Sequence, residues 1–208
     1  MKSIGIVCEY NPFHNGHIYH INKIKEMFPD SIIILVMSGN FTQRGDASII
    51  NKWNKTKIAL NHNIDLVIEL PFIFTNQSAD TFAFGACSIL NHLKVDYLVF
   101  GSESDNIDYI KNIVNIEDDK KYQEKVKELL DNGINYPTAL SKALKDFNIN
   151  LSDSSNDLLG ISYVKALKKL NSKITPITIK RTNNYNDKTL TKYITSATSI
   201  RENINKRS

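Results

Sequence analysis

The sequence predicts an α/β protein: a Rossmann-like open parallel sheet of about five strands, with helices on both faces and a helical insertion. Short apolar runs, several of them rich in β-branched residues, alternate with segments of helical periodicity, as in chains of repeated βαβ units. Polar loops follow the carboxyl ends of these runs, which is the edge where open α/β sheets collect their ligands.

Apolar runs predict the five strands. The first begins at Ile4 and breaks off before Asn11-Pro12, and the others cover 31–37, 65–71, 95–102 and 174–181. Pro176 favours an edge position for the fifth strand, because proline cannot donate to a strand neighbour. Helical periodicity predicts helices at 16–28, 47–61, 78–93 and 158–167, with residues 194–201 at the head of a last helix.

The remaining stretch, from Glu103 to about Ser152, is polar and helical and carries no catalytic cluster. It predicts a helical insertion at about 103–152 within one domain that covers residues 1–208.

Composition places the chain among soluble globular proteins, with 41% hydrophobic and 23% charged residues in 208. No apolar run approaches the roughly 20 residues of a membrane helix, and the N-terminus lacks a signal peptide's basic flank, so we expect a cytoplasmic protein without a membrane partner. Cys8 and Cys87 lie far apart in apolar segments and are expected to be buried free thiols rather than metal ligands.

Charge is distributed unevenly along the chain. Residues 1–164 hold 15 Lys and Arg against 20 Asp and Glu, whereas residues 165–208 hold 11 against 2, a local net charge of +9 within a total of +4. A basic end on an acidic body suggests a polyanionic partner, either nucleotide phosphates or RNA. A solvated lysine-rich face would give the same count.

His14, Gly16 and His17 lie where the first strand gives way to a helix. The first N–H groups of a helix are unpaired and its dipole is positive there, so this junction suits phosphate. Residues three apart share a helical face, and Gly16 allows a ligand to approach the backbone. The alternative is that both histidines are ordinary residues of a helix cap.

Other candidates are open to two interpretations. Ser199 and Arg201, at the head of the last helix, form either a second anion-binding corner or a simple cap. Asn156 is either a ligand contact or a capping residue. Lys52 and Lys55 face either phosphate or water.

Four segments together resemble one family. Residues 9–17 (EYNPFHNGH) are similar to the HxGH signature of the nucleotidylyltransferase superfamily, and residues 196–201 (SATSIR) to its second phosphate motif. With residues 37–45 (MSGNFTQRG) and 65–71 (DLVIELP), they resemble the bacterial tRNA(Met) cytidine acetate ligases. The chain departs from the family pattern in carrying Asp157 beside Asn156.

The resemblance implies an enzyme that activates acetate with ATP to acetyl-adenylate. It then transfers the acetyl group to N4 of the wobble cytidine of elongator tRNA(Met), forming N4-acetylcytidine. It implies His14 and His17 as catalytic residues and the following ATP-binding residues: Val7, Cys8, Glu9, Tyr10, Asn11, Pro12, Phe13, His14, Asn15, Gly16, His17, Ile18, Tyr19, His20, Gly101, Asn156, Arg181, Ser199 and Arg201.

Three expectations accompany this assignment. Mg²⁺ is expected to bridge the phosphates, with no metal-binding cage visible in the sequence. Family members continue beyond the final motif into a region associated with tRNA binding, whereas this sequence stops at Ser208. We therefore expect the chain alone to form acetyl-adenylate but to modify tRNA poorly.

Two other classes of function share the same motifs. A nucleotidylyltransferase that adenylylates a phosphate-bearing small molecule would use both phosphate corners, and a non-catalytic nucleotide- or RNA-binding module would use them without turnover.

Overall fold

The structure, a computed structural model, describes residues 1–151, 154–181 and 197–204. Within them, five parallel strands form one sheet in the order β3-β2-β1-β4-β5. The strands are β1 (Ser3–Cys8), β2 (Ile32–Ser38), β3 (Leu66–Leu70), β4 (Tyr97–Ser102) and β5 (Thr175–Lys180). The helices are α1 (Asn15–Met27), α2 (Lys52–Leu60), α3 (Phe72–Thr75), α4 (Ala79–His92), α5 (Ile107–Ile116), α6 (Lys120–Asp131), α7 (Tyr136–Lys145), α8 (Ser155–Lys169) and α9 (Ala197–Ile204).

The predicted α/β class and parallel sheet are confirmed. β5 lies at the edge of the sheet, as Pro176 indicated, and pairs with β4 from Tyr97↔Thr175 to Ser102↔Lys180. The central pair β1–β2 runs from Ser3↔Ile32 to Cys8↔Met37, so both strands end at the same edge.

Alternate residues of β2 serve two separate cores, which explains its unbroken apolar sequence. Ile34 and Val36 belong to a core beneath α4, α5 and α8, whereas Ile33 and Leu35 belong to a second core beneath α1 and α2. A Cβ at Gly5 would lie 2.7 Å from Leu90 Cδ1, so glycine lets α4 approach β1 closely. Helices on both faces thus fix the strand ends that form the site.

One local expectation was wrong, and one short helix was missed. The helix predicted from residue 47 begins at Lys52, because Asn51 is its N-cap and accepts the N–H of Asn54 at 2.9 Å. Residues 41 and 47 instead close a loop through an isolated antiparallel bridge. The four-residue helix α3 was not predicted.

Three helices, α5, α6 and α7, occupy the stretch between β4 and α8. Ile110 and Ile113 of α5 are buried in the core beneath the sheet, and Val126 of α6 and Ala143 of α7 extend that core outward. Residues 194–196 of the last predicted helix lie outside the described residues. No helix in the described ranges is both long and apolar enough to cross a bilayer.

Candidate functional site

A cavity of about 440 Å³ opens at the carboxyl edge of the sheet. It lies at the end of β1, which has β2 on one side and β4 on the other. The order of the strands reverses here, and open α/β sheets bind ligands at such a topological switch point. The ends of β1, β4 and β5, the starts of α1, α4, α8 and α9, and the loop after β2 all contribute to its wall.

His14 and His17 form a capping box at the start of α1. The Nδ1 atom of His14 accepts the N–H of Gly16 at 3.0 Å, and Nδ1 of His17 accepts the N–H of His14 at 3.2 Å. The two rings stack with their centroids 3.9 Å apart. Because Nδ1 of each ring accepts, the proton of each neutral ring lies on Nε2, which leaves two N–H donors for a ligand.

These histidines are neutral at physiological pH. Burial, with a smaller contribution from the charge of Arg181, lowers the pKa of His14 from 6.5 to about 4 and that of His20 to about 4. Burial also holds the pKa of His17 well below its ordinary value, and the neighbouring His14, His20 and Arg181 lower it further. The site therefore offers imidazole N–H donors rather than imidazolium charges.

Positive charge comes instead from arginines. Arg201 donates to the carbonyl of Asn11 at 2.6 Å and to Thr198 Oγ1 at 3.1 Å, which joins the start of α9 to the turn before α1. Arg181 extends from the end of β5, and Gly101 lets it pack closely, because a Cβ there would lie 3.2 Å from Arg181 Cγ. Together they give the wall a positive potential that favours a polyanion.

Several buried polar atoms of the wall have no hydrogen-bond partner among the described residues. They are Tyr10 Oη, His20 Nε2, Ser155 Oγ and Arg181 Nε. Glu103 Oε1 lies 3.7 Å from Arg181 Nε, too far for a hydrogen bond. Because buried polar groups are normally paired, these atoms indicate a polar ligand.

Asp157 explains how the start of α8 is held beside the end of β4. It is 1% exposed, and its Oδ1 accepts from Ser102 Oγ at 2.5 Å while Oδ2 accepts from Ser154 Oγ at 2.9 Å and from Ser104 N at 3.1 Å. The neighbouring Asn156 lines the cavity and donates to Glu103 Oε1 at 2.5 Å. The departure from the family pattern is thus a structural carboxylate, and Asn156 does not cap the helix.

The structure brings most of the predicted site residues to the cavity wall. These are Val7, Cys8, Glu9, Tyr10, Asn11, His14, Gly16, His17, Tyr19, His20, Gly101, Asn156, Arg181 and Arg201.

Pro12, Phe13, Asn15, Ile18 and Ser199 are not part of that wall. Phe13 packs on His62, with ring centroids 4.7 Å apart, and Ser199 is fully buried with its carbonyl accepting from Asn203 at 2.8 Å. These five residues therefore do not line the cavity.

Part of the wall was missed by sequence reasoning. Thr42, Gln43, Arg44 and Asp46 come from the loop after β2, whose polar composition was the available signal. An apolar side of the cavity comes from α4 and α8 and carries no local signal, because its residues resemble any others of a helical core: Ala79, Phe82, Leu158, Leu159 and Tyr163.

Neither Lys52 nor Lys55 faces the cavity. Lys52 pairs with Glu69 at 2.7 Å, whereas Lys55 is fully buried and donates to the carbonyls of Glu9 at 2.8 Å and Ser38 at 2.9 Å. Burial lowers the pKa of Lys55 from 10.5 to about 8. Lys55 thereby ties together the carboxyl ends of β1 and β2.

Cys8 lines the cavity as a thiol, since burial raises its pKa from 9.0 to about 12. A nucleophilic role would require the thiolate, so the site does not suit covalent catalysis by this residue.

Comparison with known proteins agrees with this geometry. The model of the HIGH Nucleotidyl Transferase family matches residues 1–208. The tRNA(Met) cytidine acetate ligase of Acetivibrio thermocellus is 48% identical over 98% of this chain and 52% of its own length.

Solved structures give the same result. The apo structure of Thermotoga maritima TmcAL superposes with a TM-score of 0.94 at 38% identity, over all of this chain and 52% of that one. The structure of Thermotoga maritima TmcAL bound with alpha-thio ATP superposes with a TM-score of 0.89 at 37% identity, over all of this chain and 51% of that one.

The chain thus spans about half the length of these relatives. The predicted resemblance to tRNA(Met) cytidine acetate ligases is confirmed. On the match over its full length, the chain belongs to the HIGH nucleotidyl transferase family.

Proposed function

We propose that this chain binds ATP in the cavity and activates acetate as acetyl-adenylate, for transfer to N4 of the wobble cytidine of elongator tRNA(Met). The observation that carries the proposal is the capping box of His14 and His17, which directs two neutral N–H donors from a helix start at the switch point of the sheet. The relatives' names supply the choice of acetate and tRNA.

In this proposal the nucleoside lies against Gly101, Asn156 and Arg181, and the phosphates lie over the start of α1. Ser155 Oγ and Arg181 Nε, which are buried without a hydrogen-bond partner, support this placement, because a nucleotide offers hydrogen-bond partners to both. Arg201 holds the far end of the triphosphate. The five predicted residues outside the wall support the site through α1 and α9.

An oxygen of acetate attacks the α-phosphorus, the bond to pyrophosphate breaks, and acetyl-adenylate forms. His14 and His17 donate from Nε2 to phosphate oxygens on which charge develops, and such donors are worth about 100-fold or more in rate. Holding the two anions in line supplies the remainder of the catalysis. Covalent attachment to the protein is not required.

Mg²⁺ would enter with the triphosphate and would neutralise charge on its oxygens. Among the described residues, no group of three or more His, Cys, Asp and Glu could hold a metal ion by itself.

Residues 1–208 act as one ATP-binding catalytic domain in this proposal, with the helices between β4 and α8 as its insertion. A tRNA substrate places the protein in the cytoplasm. The +9 charge of residues 165–208 would follow the RNA backbone.

Isotope exchange between ATP and pyrophosphate tests the proposal. We expect exchange that depends on acetate and is absent with a mononucleotide or phosphopantetheine as acceptor. Exchange only with the phosphorylated acceptors would instead favour a cofactor-type adenylyltransferase, and ATP binding without any exchange would favour a binding module.

A further inference from the structure

The resemblance implies Glu9 among the ATP-binding residues, but the placement proposed above gives this half-buried carboxylate of the cavity wall no contact with ATP. Glu9 and Asp46 are the acidic residues among the described lining side chains, and Asp46 is exposed in its loop. A carboxylate against a triphosphate would repel it. Glu9 therefore requires a partner other than the phosphates.

Glu9 is held at a fixed place on the side of the cavity formed by the loop after β2. Its Oε1 accepts the backbone N–H of Gln43 at 2.5 Å, and its main-chain carbonyl accepts from buried Lys55 at 2.8 Å. The side chain of Gln43 is anchored in turn on the carbonyl of Gln77 at 2.5 Å. No described donor hydrogen-bonds to Oε2, so that oxygen is left for a donor in the cavity.

The surroundings of Glu9 favour a proton acceptor over a metal ligand. Burial raises its pKa above the ordinary 4.5, while the Gln43 hydrogen bond and the charges of Lys55, Arg201 and Arg44 oppose that rise. Positive charges on several sides disfavour a divalent cation, and the described residues offer no metal-binding group of three.

The placement of ATP leaves this side of the cavity for the acceptor. In the proposed placement the nucleoside lies against β4, β5 and α8 and the phosphates lie over α1, whereas Glu9 follows the end of β1 beside the loop after β2. Carboxylates accept hydrogen bonds from the exocyclic amine of cytosine, whereas uracil presents a carbonyl oxygen at the same position.

We propose that Glu9 receives the exocyclic amine of the cytosine acceptor through Oε2 and takes its proton during acetyl transfer; this inference rests on the proposed function. The amine nitrogen attacks the carbonyl carbon of acetyl-adenylate and a C–N bond forms. The C–O bond to the phosphate breaks, and AMP leaves with that electron pair. The proton lost by the nitrogen passes to Glu9.

Nucleoside binding tests the recognition step directly. The 208-residue chain, saturated with a non-hydrolysable ATP analogue, is titrated with cytidine and with uridine by calorimetry. We expect the chain to bind cytidine about tenfold more tightly than uridine. Glu9→Gln should abolish that preference, because the Gln43 N–H keeps the amide oxygen and leaves an NH₂ group facing the amine. Asp46→Asn, at the other acidic residue of the wall, should preserve it.

Acetate-dependent pyrophosphate exchange distinguishes a failure of this inference from a failure of the proposed activation of acetate. Exchange by the wild-type chain measures adenylate formation, so it reports on the proposed function independently of the nucleoside preference of Glu9→Gln. A raised Mg²⁺ requirement for exchange in Glu9→Gln would make Glu9 a metal ligand and would overturn its assignment to cytosine. Equal binding of the two nucleosides by wild type, binding of neither, or a cytidine preference retained in Glu9→Gln would overturn it as well. Absence of exchange in wild type would defeat the proposed function itself.

Discussion

His14 performs two tasks with its two ring nitrogens, and a substitution can separate them. Nδ1 caps α1 by accepting the N–H of Gly16 at 3.0 Å, while Nε2 carries the proton that we assign to the phosphates. His14→Ala removes both functions. His14→Ser keeps an oxygen that can accept the Gly16 N–H but places nothing at the position of Nε2.

The two tasks differ in the size of their effects. Loss of an N-cap costs about 1 kcal/mol, which for a chain of this length lowers Tm by roughly 2–4 °C. Loss of one donor to developing charge lowers the rate by about 100-fold or more. We therefore expect His14→Ser to melt close to wild type yet exchange pyrophosphate at least about 100-fold more slowly. His14→Ala should lose both stability and rate.

The assay pairs acetate-dependent ATP–pyrophosphate exchange with a thermal melt of each variant. His92→Ala is the matched control, because His92 is an exposed histidine near the end of α4 and away from the cavity. A wild-type exchange rate in His14→Ser would show that His14 is only a helix cap and would refute its catalytic assignment.

Three further predictions concern the supports of the site. Tm should fall as the pH is lowered from 6.5 toward 4, because the unfolded chain takes up protons near 6.5 whereas His14 and His20 in the fold do so only near 4; melts across this range measure it. Lys55→Met should lower Tm by about 10 °C, because two main-chain carbonyls at strand ends lose their donor at a cost of about 3 kcal/mol. Lys52→Met, which removes the ion pair with Glu69, should change Tm by about 1 °C. Asp157→Asn should cost about 2 kcal/mol and weaken ATP binding, as measured by melting and calorimetry, because the start of α8 loses its tie to β4.

Each of these has a contradicting result. A Tm that is constant or rises between pH 6.5 and 4 would mean that the buried histidines are protonated in the fold. Equal melting of the two lysine variants would mean that the buried ammonium contributes no more than the exposed one. Unchanged ATP affinity in Asp157→Asn would mean that the hydrogen bonds of Asp157 do not position the nucleotide site.

Local sequence predicted the part of the site that is local in the chain. The junction from Val7 to His20 follows from an apolar strand, a break at Pro12 and a helix start, which come one after another in the chain. The neutral state of the histidines could not be predicted, because it depends on burial beneath distant elements and on the charge of Arg181.

The features of the site that the sequence did not predict depend on packing between elements that are distant in the chain. A lysine in a helix is expected to be exposed. Lys55 is buried because its ammonium group lies between two main-chain carbonyls, those of Glu9 and Ser38, at the ends of β1 and β2. The apolar wall around Phe82 and Tyr163 forms only when α4 and α8 pack on the same face of the sheet. Neither contact leaves a periodicity or a motif in the sequence.

Acetate labelled with ¹⁸O in both oxygens tests the central claim most directly. The chain is incubated with ATP and labelled acetate, hydroxylamine serves as a small amine acceptor, and the nucleotide products are weighed by mass spectrometry. Attack of acetate on the α-phosphorus predicts AMP that carries one ¹⁸O atom, because the bridging oxygen stays with phosphorus when the amine takes the acetyl group. Unlabelled AMP, or ADP as the only product, would contradict the account.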